Sequence, residues 1–216
     1  MSLAILRILG ILVFLYLIWR NLKDNYNSQK IISYSWLSLL GFFVVGRIFF
    51  GLIHWGIWNI NLIDWISVWN KPGMSYIGGY LGLGLVSWIY CKTQQWKFLA
   101  FMEDVIKPFL ILLWFLITDE WLRTKFDLKV LVYLILLIVI YFISVWVSKR
   151  YRSFTWYKSG KKGFVLLFAN FLFFLMITID LIVFNENLIN IILALIISLI
   201  SGLGLFILGK VKYEKK

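Results

Sequence analysis

The apolar residues of this chain fall into seven long runs separated by short charged connections. The runs are Leu3–Trp19, Ile31–Ile53, Gly73–Tyr90, Val105–Ile117, Leu128–Val147, Gly163–Phe184 and Leu188–Leu208. A helix rises about 1.5 Å per residue, so about 20 apolar residues cross the ~30 Å hydrocarbon layer of a membrane. The runs are continuous rather than alternating, which argues against a membrane β-barrel. Apolar and aromatic residues make up 62% of the 216 residues, against roughly 45–50% in soluble domains. Charged residues make up 15%, against about 25%. A soluble domain and a disordered chain are both excluded. Cys91 is the only cysteine, so no internal disulfide can hold the fold. The expected architecture is all-α: a single polytopic membrane domain over residues 1–216, with seven transmembrane helices.

The net charge of +12 has its explanation in where the basic residues stand. Arg20, Lys23 and Lys30 follow the first run, and Lys92 and Lys97 the third. Lys149, Arg150, Arg152, Lys158, Lys161 and Lys162 follow the fifth, and Lys210, Lys212, Lys215 and Lys216 form the tail. The second connection holds only Lys71, and the sixth holds none. The fourth holds Arg123, Lys125 and Lys129, offset by Asp119, Glu120 and Asp127. The positive-inside rule then predicts the N-terminus outside and the C-terminus in the cytoplasm. Such residues anchor loops on anionic lipid, so no nucleic-acid partner is implied. The first run has an uncharged start, holds Arg7 and lacks a small-residue cleavage site, so it is expected to be retained as a helix.

Polar residues within hydrocarbon are costly, so each needs a reason. Arg7 is near enough to the outer end of the first run to snorkel to the interface. Asp180 likewise lies near the outer end of the sixth run. Glu103 and Asp104 precede the fourth run, where they are expected to face cytoplasm and pair with Lys107 one turn on. That run is expected to open near Pro108, or to reach back to Phe98. Asp119, Glu120, Arg123 and Lys125 are expected in a solvated loop. Arg47 is the exception, since bulky apolar residues flank it well inside the second run. A guanidinium there suits a phosphate or carboxylate, which its planar fork binds bidentately. The third run carries Gly73, Gly78, Gly79, Gly82 and Gly84. Such clustering either lets helices pack closely or opens a groove for lipid. With one histidine, His54, and one cysteine far apart, neither a metal nor another cofactor is expected.

Trp69-Asn70-Lys71-Pro72-Gly73-Met74-Ser75-Tyr76-Ile77-Gly78-Gly79-Tyr80-Leu81-Gly82 resembles the W-x-G-G-M-S-F-H-G-G-x-x-G segment of prolipoprotein diacylglyceryl transferases. Gly46-Arg47-Ile48-Phe49-Phe50 is similar to the family's preceding helix, and the stretch from Phe98 to Pro108 to its entry into the fourth helix. The resemblance covers residues 3–120, and 128–208 as topology only. It implies seven spans in the bacterial cytoplasmic membrane. It also implies transfer of a diacylglyceryl group from phosphatidylglycerol to the cysteine thiol of a lipoprotein signal peptide. The implied lipid and phosphate contacts are Arg47, Tyr76, Gly78 and Gly79, and the implied base is Glu120. Glu120 stands beside Asp119, so like-charge repulsion is expected between them.

This sequence also departs from the family pattern. The family histidine position is Ile77. Aligned on Glu120, the arginine and asparagine positions of the fourth helix are Leu112 and Phe115. In the sixth helix Asp180 stands near a glutamate position and Met176 near an arginine position. The expected function is therefore a divergent transferase or an inactive relative that binds lipid or signal-peptide helices. A small transporter fits less well, for lack of paired mid-membrane charge and of an inverted repeat.

Overall fold

The computed structural model describes residues 2–53, 74–154, 157, 162–183 and 188–210. These form seven α-helices: α1 (Ser2–Leu22), α2 (Ser28–Ile53), α3 (Tyr76–Thr93), α4 (Phe98–Arg123), α5 (Leu128–Arg150), α6 (Phe164–Val183) and α7 (Leu188–Lys210). A short 3₁₀ turn, Tyr151–Ser153, follows α5, and there is no strand among the described residues. Helices α1, α2, α5, α6 and α7 are each long and apolar enough to cross a membrane. The other two are the glycine-rich α3 and α4, which carries charged residues towards both of its ends.

Contacts between ends set the direction of each helix. Arg7 at the start of α1 meets Asp119 at the end of α4, while Asn21 at the other end of α1 meets Asp104. Tyr34 and Lys30 early in α2 meet Ser87 and Tyr90 late in α3. Lys129 opens α5 beside Asp180 near the end of α6. Ser198 and Gly202 of α7 pack on Phe171 of α6. Consecutive helices thus run up and down. The start of α1, the end of α2, the start of α3 and the end of α4 share one end of the bundle.

Helix α4 is the hub, packing on α1, α3, α5 and α6. Phe101, Val105, Phe109, Leu112 and Leu113 are fully buried along it. It is longer than the fourth apolar run. It starts at Phe98, which was the alternative start, and continues through Arg123. Pro108 does not open it but lies within it. Proline lacks the N–H that would bond the carbonyl four residues back, that of Asp104. The Asn21 side chain of α1 donates to that carbonyl at 3.2 Å, so the interior proline leaves no orphan acceptor there.

The α2–α3 seam explains much of the glycine cluster. A Cβ on Gly79 would lie 2.6 Å from the Phe42 ring, and one on Gly82 would strike the Gly41 carbonyl. Gly78 abuts Phe49 and Val45. Small residues let these helix backbones approach, as membrane helices commonly do. Gly84 faces open space. Ser75 caps α3, its Oγ accepting from Gly78 N at 3.1 Å. Gly73, Lys71, Pro72 and His54 lie outside the described residues.

Candidate functional site

A cavity of about 460 Å³ opens at the bundle end where α3 begins and α4 stops. Its walls are mostly apolar: Phe50 and Ile53 of α2, Leu113 and Ile117 of α4, Val130 of α5, and Phe173, Met176 and Ile177 of α6. Its polar lining comprises Ser75, Tyr76, Glu120, Thr124, Asp127, Lys129, Tyr133, Asp180 and Asn190. A mostly apolar pocket with a few converging polar groups is the usual form of a small-molecule site.

Two of the expected site residues meet here. The Tyr76 hydroxyl donates to Glu120 Oε2 at 2.7 Å, joining the first residue of α3 to the last turn of α4. Both depend on local folding: the Ser75 cap starts α3 at Tyr76, and the extension of α4 makes Glu120 helical. The expected solvated loop is therefore replaced by a helical turn from Asp119 to Arg123. Asp119 is fully buried. Its Oδ2 accepts from Arg7 Nε at 2.6 Å and lies 3.1 Å from Arg123 Nε. The repulsion expected between Asp119 and Glu120 is thus not left unopposed. Adjacent helical residues point about 100° apart, so Asp119 turns to the arginines while Glu120 turns to Tyr76.

Arg47 is 6% exposed, at the α2 end of the same region. Its guanidinium carbon lies 5.9 Å from the centroid of the Phe50 ring, which lines the cavity. Gly78 and Gly79 do not line it; they face α2. Ile77, at the family histidine position, does line the cavity. Leu112 is fully buried in the core, and Phe115 packs on Gly10 of α1. Met176 and Asp180 both reach the cavity.

Tertiary contacts alter two other expectations, for Arg7 and Glu103, and give Asp180 a partner. Arg7 does not simply snorkel, because it pairs with Asp119 across the α1–α4 contact. Asp180 lies 3.7 Å from Lys129. Glu103 is 8% exposed rather than facing cytoplasm, and it accepts the N–H of Gly163, just before α6. That bond ties the start of α6 to α4. Sequence reading missed the pairing of Arg7, Asp119 and Arg123. The available signal was a basic residue and an acidic one at matching depth in the first and fourth helices.

The model of the prolipoprotein diacylglyceryl transferase family matches residues 2–117, more than half of the chain. The chain belongs to this family. The match covers α1 to α3 and most of α4, and it stops short of Asp119 and Glu120. A relative named phosphatidylglycerol–prolipoprotein diacylglyceryl transferase, from Legionella pneumophila (strain Paris), is 28% identical over 94 residues. That stretch is 42% of this chain and 36% of the relative. No solved structure matches.

Proposed function

We propose that this chain takes up a diacyl phospholipid in the cavity, with phosphatidylglycerol as the donor that family membership implies. Transfer of its diacylglyceryl group to a lipoprotein cysteine is slow or absent. The observation that carries this reading is the Tyr76–Glu120 pair at the accessible rim of a mostly apolar cavity. Acyl chains would lie along Phe50, Ile117, Phe173 and Ile177. Glu120 would accept the thiol proton as the sulfur bonds to the diacylglyceryl carbon and glycerol phosphate leaves with the C–O electrons, and Tyr76 would fix the orientation of the carboxylate. Arg47 would act on the phosphate from the Phe50 side, through the charge-assisted bonds its guanidinium can form. Gly78 and Gly79 would contribute by bringing α2 and α3 together beside the site.

The binding-only reading has an observation of its own. Ile77 faces the cavity where the family carries a histidine, and an isoleucine moves no proton. Loss of a general base costs roughly 10²–10⁴ in rate. The seven-span topology with the N-terminus outside belongs to the same proposal. Reporter fusions after Lys97 and Tyr157 should read cytoplasmic, and those near Asn61 and Asn185 external.

The deciding experiment is incorporation of labelled glyceryl from phosphatidylglycerol into a lipobox peptide by the purified protein. Slow transfer lost in Glu120→Gln supports the transferase reading. Phosphatidylglycerol that co-purifies without transfer supports binding alone, and Ile77→His then tests whether the cavity can be returned to turnover. A protein that retains no diacyl lipid and transfers nothing overturns both.

A further inference from the structure

We propose that Arg7 and Arg123, gathered on Asp119, form a phosphate-binding site beside the cavity rim. The inference rests on the lipid-handling reading above and assigns the group that would select the donor. One oxygen of a fully buried carboxylate holds the Nε of both arginines, at 2.6 and 3.1 Å. The two guanidiniums are therefore neighbours, brought together from α1 and α4. Each arginine side chain is 41% exposed, so the pair faces outward while Asp119 sits behind it.

Charge and donor count then point to an anion. A guanidinium has five N–H donors, and each is seen using only Nε here. Among the described residues, neither arginine has another ion-pair or hydrogen-bond acceptor. Two cations against one carboxylate leave a surplus positive charge. Glu120, next to Asp119 in sequence, keeps its own charge but turns to Tyr76 rather than to the arginines. Two adjacent forks fit a phosphate better than a single point charge would, because each can bind bidentately. The pair also lies close to the candidate site, since Arg7 and Asp119 both act electrostatically on the Tyr76 hydroxyl. Neither arginine occupies one of the positions where the family resemblance expects arginine, which here are Leu112 and Met176. The ligand class is a phosphate ester, whether a lipid headgroup or a soluble phosphate.

The test uses the full chain in nanodiscs with three probes: phosphatidylglycerol, diacylglycerol of the same acyl chains, and glycerol phosphate. Native mass spectrometry should show phosphatidylglycerol retained at least tenfold over diacylglycerol. The Arg7→Gln/Arg123→Gln double variant, with Arg47 still in place, should cut that preference at least threefold while still retaining diacylglycerol, and an unchanged preference overturns the proposal. If that variant does not fold, phenylglyoxal labelling of the unaltered protein decides. Phosphatidylglycerol or glycerol phosphate should then protect Arg7 and Arg123 from modification. Protection by glycerol phosphate alone would assign the site to a soluble ester, and protection by the lipid alone to a headgroup. Equal retention of both lipids, or no protection by either phosphate, overturns the proposal and leaves the arginines as a tie between α1 and α4. Retention of neither lipid defeats the cavity reading instead, and glycerol phosphate protection then judges the arginine pair by itself.

Discussion

Helices α4 and α7 illustrate opposite ways of satisfying the same solvent. Only 17% of the Leu188–Gly209 stretch is buried, and that stretch is apolar nearly throughout. Leu199, Ile200, Leu203 and Ile207 of α7 all point outward. Helix α4 is mostly buried, and it carries Glu103, Asp104, Lys107, Asp119 and Glu120. A lipid-facing helix must be apolar because hydrocarbon solvates nothing else. A helix enclosed by others can hold charges if its neighbours supply partners, as Arg7, Tyr76 and the Gly163 N–H do here, with Arg123 of α4 itself adding a second cation at Asp119. Among the described residues, the buried carboxylates therefore lie on α4, a helix that looks less like a membrane span than most of its neighbours.

Core truncation should separate the two helices most sharply. Phe109 is fully enclosed, so Phe109→Ala should cost about 3–5 kcal/mol of stability, through lost contacts and a cavity. Ile200 is 62% exposed, and Ile200→Ala on α7 should stay within about 0.5 kcal/mol, as surface changes do. Denaturant titration of both variants in the same detergent checks this. Equal losses would mean that α7 is covered by something and is not a lipid-facing helix.

The α2–α3 seam gives the next largest effect. Gly82→Leu must push a side chain into the Gly41 carbonyl and Val45. Overpacking of this kind costs about 1–3 kcal/mol. The thermal midpoint of the purified variant should fall accordingly. An unchanged midpoint would show that the backbones do not approach as closely as the glycines suggest.

The Tyr76–Glu120 bond is smaller. Removing the hydroxyl in Tyr76→Phe should cost about 1 kcal/mol, because the exposed Glu120 carboxylate regains water where the charge-assisted bond is lost. Asp119→Asn should cost more, about 1.5–3 kcal/mol, because the lost bonds are charge-assisted and Asp119 is buried. Reversal of that order would make the rim pair, rather than the arginine clamp, the main tie at this end of the bundle. It would also weaken the case that the arginines have donors to spare for a ligand.

The helices themselves were legible because long continuous apolar runs between charged connections favour helix, the form that satisfies its backbone groups internally; five of the seven are long and apolar enough to cross a membrane. The ends of α4 were not. Asp119, Glu120 and Arg123 read as a solvated loop, since local sequence does not reveal that Arg7 of a distant helix reaches Asp119. Pro108 read as a helix start, because the Asn21 side chain that serves the freed carbonyl lies 83 residues from Asp104 in sequence. The family resemblance placed Tyr76 and Glu120 in one site, and their hydrogen bond brings them together. It could not indicate Lys129, Tyr133 or Asn190, which lie in helices beyond the matched residues and reach the cavity only through the fold.

The glycines of α3 give the smallest effect and the clearest limit on reading spacing. Five glycines in one apolar run allowed both close packing and an open groove, and the two uses fall on different residues. Gly82 is pressed against α2, whereas a Cβ on Gly84, two residues on, would meet nothing within 4 Å. Opposite outcomes are therefore expected from neighbouring positions. Gly84→Ala should stabilise by about 0.5–1 kcal/mol, because alanine loses less backbone freedom in a helix and here meets no clash. Gly82→Ala should destabilise, since even a methyl group meets the Gly41 carbonyl. Paired thermal melts in one detergent are sufficient to read the signs. If Gly84→Ala also destabilises, Gly84 has a neighbour in the membrane, and a second chain or a bound lipid lies against that face of α3. If Gly82→Ala stabilises, helix propensity outweighs packing even at the closest contact, and α2 and α3 are held together by Phe42, Phe49 and Tyr34 rather than by the approach of their backbones.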